Sequence, residues 1–101
     1  MGLRTNLHTV LVNMLGSSNV YFQPPENIKL KYPCIVYERS SMDTRFADNK
    51  PYAHKLRYKI IVIDKDPDTK IIDRIKTLPM CIYDNHYVTD NLNHDVFFIY
   101  Y

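Results

Sequence analysis

A chain of 101 residues with 46% hydrophobic content is long enough for one domain around one core, and too apolar to stay disordered. A formal net charge of +2 is too small to imply nucleic-acid binding by bulk electrostatics. Gly2 and Gly16 are the only glycines, which excludes a Gly-rich phosphate loop, and no apolar run reaches the length of a membrane span.

Residues 3–15 predict a helix. Leu3, Leu7, Val10, Leu11, Met14 and Leu15 recur at helical spacing as one apolar stripe, with Thr5, Asn6, His8 and Asn13 on the solvent side. Gly16 is the expected C-terminal stop. Val20, Tyr21 and Phe22 predict a short strand that Pro24 and Pro25 end, and residues 24–32 predict a loop. Residues 34–39 predict the next strand, with a possible extension to Arg45, and Asp48, Asn49, Lys50 and Pro51 form a turn cluster.

The strand expected over residues 54–64 alternates clearly. Leu56, Tyr58, Ile60 and Val62 point one way, while Lys55, Arg57, Lys59, Ile61 and Ile63 point the other. The second set is basic at its start and apolar at its end. The basic half should therefore project from the body, and the half near Ile63 should be buried on both faces. Paired with residues 33–45, this strand makes a long antiparallel hairpin whose tip extends past the core.

A second helix is expected after Asp66. Asp66 suits the N-cap, Pro67 the first helical position and Asp68 the positive helix end. Ile71, Ile72, Ile75 and Leu78 form its apolar face, and Pro79 ends it. Strands follow at 81–83 and 86–90. A turn over Asp90, Asn91, Leu92 and Asn93 then leads into a last strand from His94 to Tyr101. The order is α-β-β-β-α-β-β. This is an α+β fold of one domain over residues 1–101, with an N-terminal helix and an internal helix packed on a mostly antiparallel sheet.

Cys34 and Cys81 sit among apolar residues and read as buried free thiols rather than a disulfide. The nine tyrosines, with no tryptophan beside them, read mainly as half-buried strand positions. The acidic run Asp64, Asp66, Asp68 departs from a calcium loop, because Thr69 and Ile75 stand where Gly and Glu are needed. His86 and His94, with Asp84, Asp90 and Asp95, are the densest polar group. Converging in a hairpin, they would suit a metal-dependent hydrolase, which is one alternative reading. No nucleophile–base pair stands out, so the chain reads as a non-enzyme with no cofactor. No signal peptide is visible, and a soluble chain of the cytoplasm is expected.

Arg39, Arg45, Lys50, Lys55, Arg57 and Lys59 concentrate on the expected hairpin, interleaved with Phe46 and Tyr52 and diluted by Glu38, Asp43 and Asp48. Mixed charge of this kind fits a protein-contact arm that sets register with a neighbouring subunit. The candidate interface residues are Arg39, Arg45, Phe46, Asp48, Lys50, Lys55, Arg57 and Lys59. A DNA-binding strip is a weaker alternative, because acids sit among the bases.

Five segments carry a family resemblance: residues 19–25 (NVYFQPP), 32–38 (YPCIVYE), 43–49 (DTRFADN), 57–68 (RYKIIVIDKDPD) and 86–94 (HYVTDNLNH). In order and spacing the chain resembles the small head–tail joining proteins of long-tailed bacteriophages, of the tail terminator or tail completion type. The resemblance implies an α+β subunit of a ring, typically sixfold. That ring would cap the tail tube and meet the head-completion or stopper protein, in the virion and after assembly in the host cytoplasm. DNA would pass through its lumen without sequence-specific binding. A stopper or adaptor of the same head–tail interface is a related alternative. The family often has a bulky apolar residue after the Asn–His pair, where this chain has Asp95.

Overall fold

The computed structural model describes residues 3–40 and 56–101. Along them run α1 (Leu3–Leu15), β1 (Val20–Phe22), β2 (Cys34–Arg39), β3 (Arg57–Asp64), α2 (Ile71–Ile75), β4 (Cys81–Thr89) and β5 (Leu92–Tyr100). This is the order α-β-β-β-α-β-β, with the segments expected at 81–83 and 86–90 joined in β4. The strands form one sheet in the order β1-β2-β3-β5-β4. All neighbours are antiparallel except β1 and β2, which run parallel. The fold is therefore α+β with a mostly antiparallel sheet.

The alternation in β3 decides how the layers stack. Tyr58, Ile60 and Val62 pack in one cluster with Leu7, Leu11 and Leu15 of α1, Ile71 and Ile75 of α2, and Tyr37, Phe97 and Ile99 of the neighbouring strands. Both helices thus cover one face of the sheet. Leu7, Leu11, Ile60, Ile75 and Phe97 have no exposed surface, and each such side chain contributes roughly 1.5–3 kcal/mol through burial. On the opposite face Cys34, Ile63 and Leu92 form a second cluster, flanked by Tyr21, Leu30, Val36 and Ile61. No helical residue belongs to that cluster. Ile63 is buried as expected, at 6% exposure.

Local chemistry fixes the element ends. Gly16 adopts φ +83, where a side chain would be strained, and its N–H closes α1 on the carbonyl of Val12 at 2.9 Å. Arg74 of α2 donates to the carbonyl of Met14 at 2.9 Å, which satisfies another terminal group of α1 and ties the two helices together. Asp90 and Asn91 have φ of 53 and 61, the pair of left-handed residues that a tight hairpin turn requires.

Several expectations need correction. The turn before β5 takes only Asp90 and Asn91, because Leu92 and Asn93 already pair with Thr89 and Val88. Residues 81–89 form one strand, not two. An irregularity between Tyr83 and Asn85 absorbs Asp84 as an extra residue without ending the ladder. The second helix begins later than Asp66 and is shorter than predicted. Its N-cap is Lys70, whose side chain makes no cap bond, while Thr69 Oγ1 accepts from the Ile71 N–H at 3.4 Å. The acids instead hold local turns: Asp64 accepts from the N–H of Asp66 at 3.0 Å, and Asp66 from that of Asp68 at 2.9 Å. In α1, Val12 rather than Val10 flanks the core cluster. His8 is half-buried rather than on the solvent face, and its Nδ1 lies 2.7 Å from the Tyr37 hydroxyl.

Candidate interaction surface

The predicted arm splits in two. Arg45, Phe46, Asp48, Lys50 and Lys55 lie outside the described residues, as does the expected tip of the hairpin. Arg39, Arg57 and Lys59 lie at its base, where β2 and β3 pair from Cys34↔Ile63 to Arg39↔Tyr58. One further backbone bond, Ser40 N–H to the Arg57 carbonyl at 2.8 Å, continues the hairpin beyond the ladder.

The base does not gather its cations on one side. Arg57 and Lys59 share the helix-free face, while Arg39 stands opposite Tyr58 and takes the parity of the helix face. Lys59 is directly across from Glu38, so a cation and an anion are neighbours there. The Arg57 guanidinium sits 4.1 Å from the centre of the Phe98 ring on β5. This explains why Arg57 is half-buried despite its charge. An open depression of about 400 Å³ lies beside the hairpin base, lined by Gln23, Pro24, Val36, Glu38 and Arg39. Gln23 helps to build it, since its Oε1 accepts from the Arg39 N–H at 3.2 Å.

The polar group on β4 and β5 does not converge. His86 stands opposite Asp95 on the helix side, whereas Tyr87 and His94 pair on the other side, their rings stacked 4.6 Å apart. Asp95 is 4% exposed and accepts a 2.9 Å bond from the Tyr83 hydroxyl. Burial and then the Asp95 carboxylate push the Tyr83 hydroxyl above its ordinary pKa. His86 Nε2 lies 3.0 Å from Asn93 Oδ1. These partners make a structural network across the last two strands. Among the described residues no three His, Cys, Asp or Glu side chains are grouped to hold a metal ion. Cys34 and Cys81 are free thiols, Cys34 buried and Cys81 half-buried. Burial raises the pKa of Cys81, and the same cause holds Cys34 further up, so neither is poised as a nucleophile.

Sequence reasoning missed a second surface, the outer strand β4. From Ile82 to Thr89 every residue is exposed. Ile82 is 60% and Val88 58% exposed, and Tyr83 and Tyr87 are each 42% exposed. The apolar residues in 81–89 were visible as a strand. Its place at the sheet edge was not, because that depends on β5 pairing with β3 on one side and β4 on the other.

No helix among the described residues is long and apolar enough to cross a membrane. No family model, curated protein or solved structure matches the chain.

Proposed function

We propose that this chain is a structural subunit of the head–tail joint of a long-tailed bacteriophage, of the tail terminator or tail completion type. About six copies would close into a ring through a repeated heterologous contact. The ring would cap the tail tube, receive the head-completion or stopper protein on its other side, and let DNA through its lumen without sequence-specific contacts. The protein would act in the virion and assemble in the host cytoplasm.

One observation carries this reading. Of the five segments that resemble the family, four fall on neighbouring parts of a single sheet. Residues 19–25 contain β1, 32–38 contain most of β2, 57–68 contain β3 and its following turns, and 86–94 span the β4–β5 turn. The mixed charge of Glu38, Arg57 and Lys59 at the hairpin base suits a protein contact better than a nucleic-acid strip.

The test is the mass of the purified protein by light scattering after gel filtration, with negative-stain images of any large species. A ring of about six copies is expected. Replacing Arg45 and Arg57 together with Glu should abolish that ring and leave a folded subunit. Rings that persist in the double variant would refute the role of the hairpin. A wild-type protein that forms no ring, alone or on tail tubes, would refute the terminator reading.

A further inference from the structure

We propose that the free edge of β4 is a self-pairing surface, on which a second copy of this chain adds its own β4, antiparallel, across a two-fold axis. The contact would merge the two five-stranded sheets into one. It is independent of the ring reading, because a ring joins unlike surfaces and this contact joins like ones.

The edge invites pairing. Among the described residues nothing pairs with the outer side of β4, a strand of nine residues. Backbone N–H and C=O groups that face outward from an edge strand are a template for another strand. Edges are ordinarily protected by charged side chains, proline or bulges; here the protection is confined to the irregularity with Asp84 and to Lys76 over the Tyr83 ring at 5.4 Å, and residues 81–89 contain no lysine or proline. Its exposed large apolar side chains are Ile82, Tyr83, Tyr87 and Val88.

The occupant follows from the register. Cys81, Tyr83, His86 and Val88 stand opposite Ile99, Phe97, Asp95 and Asn93, and so share the helix face. Ile82, Asn85, Tyr87 and Thr89 stand opposite Phe98, Val96, His94 and Leu92 on the other face. The extra residue at Asp84 therefore inverts the phase of the strand halfway along. Side chains directly opposite each other in a ladder must share a face. Run against itself, β4 satisfies this rule when the axis passes between Asp84 and Asn85.

In that register Ile82 meets Tyr87 of the second copy, Tyr83 meets His86, and Cys81 meets Val88. Each exposed apolar side chain gains a cross-strand neighbour, the kind of pair that stabilises sheets. The irregularity of one strand faces that of the other, so neither has an unmatched residue. Asp84 falls beside the Asn85 amide, a donor for its carboxylate, rather than opposite another acid. The other sheet edge is no substitute. β1 has three residues and is followed by Pro24, so it cannot cover a nine-residue strand.

The experiment compares wild type, Ile82→Lys and Tyr87→Lys by light scattering over a concentration series, with thermal melts as a check on folding. The wild type should reach an even multiple of the 12.0 kDa chain, and either lysine should halve that mass with the melt unchanged. A second measurement fixes the register. In a Cys81→Ser background, Ile82→Cys with Tyr87→Cys should form an inter-chain disulfide, because opposite residues meet its geometric limits. Neither single cysteine should do so. A wild type that stays monomeric overturns the proposal, as does a mass that ignores both lysines. Cross-linking by a single cysteine, or none by the pair, overturns the register. A sixfold species unaffected by Ile82→Lys would overturn this contact and leave the ring reading standing.

Discussion

The side-chain amide of Asn93 reaches over the β3–β5 ladder and donates to the main-chain carbonyl of Asp64 at 3.3 Å, the residue it faces in register. The same nitrogen lies 3.2 Å from the Lys65 carbonyl, and Oδ1 lies 3.0 Å from His86 Nε2. One buried side chain, 8% exposed, thus ties the exit of β3 to both strands of the C-terminal hairpin. Asn93→Ala should cost about 2 kcal/mol, since several hydrogen bonds of about 1 kcal/mol each are lost. Asn93→Asp should cost more, because a carboxylate would face two carbonyl oxygens with no proton to give. Urea unfolding of both variants checks the order. Equal losses would mean that only the shape of the side chain matters.

Tyr37 poses a related question in the helix-covered core. It has no exposed surface, yet its hydroxyl has Arg4 at 3.5 Å and His8 Nδ1 at 2.7 Å. Arg4 donates to the hydroxyl, which leaves the phenol proton for His8 Nδ1 in the tautomer where that nitrogen accepts. Burial raises the Tyr37 pKa, and Arg4 works against that rise. Tyr37→Phe should cost about 1 kcal/mol, because His8 is half-buried and can turn to water. His8→Ala should cost more, about 1–3 kcal/mol, since it leaves a buried hydroxyl short of its acceptor. A double-mutant cycle on the melting temperature measures the coupling. Additive losses would refute it.

Cys34 gives a pH dependence of defined sign. Burial, and secondarily the Asp64 carboxylate, push its thiol from an ordinary 9.0 up to about 12. The folded state therefore keeps the proton after the unfolded chain has lost it near 9.0. The resulting stabilisation is complete below that pH. It falls as pH rises through the interval up to about 12. Urea midpoints from pH 7 to 10 should fall more steeply in wild type than in Cys34→Ala, by up to about 1.4 kcal/mol per pH unit at the alkaline end. Parallel slopes would refute the assignment. Alkylation at pH 8 should label Cys81 before Cys34, which has no exposed surface.

What could be read in advance depended on the range of the interaction. The alternation of Tyr58, Ile60 and Val62 against Arg57, Lys59 and Ile61 is a local pattern, and it placed each residue on its observed face. The hairpin pairing of residues 34–39 with 58–63 followed from it. Asp66 shows where local reading fails. An aspartate before a proline suits a helix cap, but it suits a turn equally well, and here the turn forms. His8 failed for another reason. Nothing near it in sequence announces that Tyr37, from a distant strand, will offer it a hydroxyl beneath the helix. Of the candidate interface, Arg57 and Lys59 fell on one face as expected, while Arg39 took the parity of the other.

By itself the sequence determined the element order, the faces of β3, the stop at Gly16 and the free state of both thiols, because these depend on period, φ preference and composition within a few residues. Only the tertiary structure decided that β1 runs parallel to β2, that β5 lies between β3 and β4, and that Ile82, Tyr87 and Val88 consequently stand on the outer strand of the described sheet. Those features are set by which strands pair across long sequence separations. Such pairing is chosen by the burial of whole faces against one another, and no local pattern in the chain encodes it.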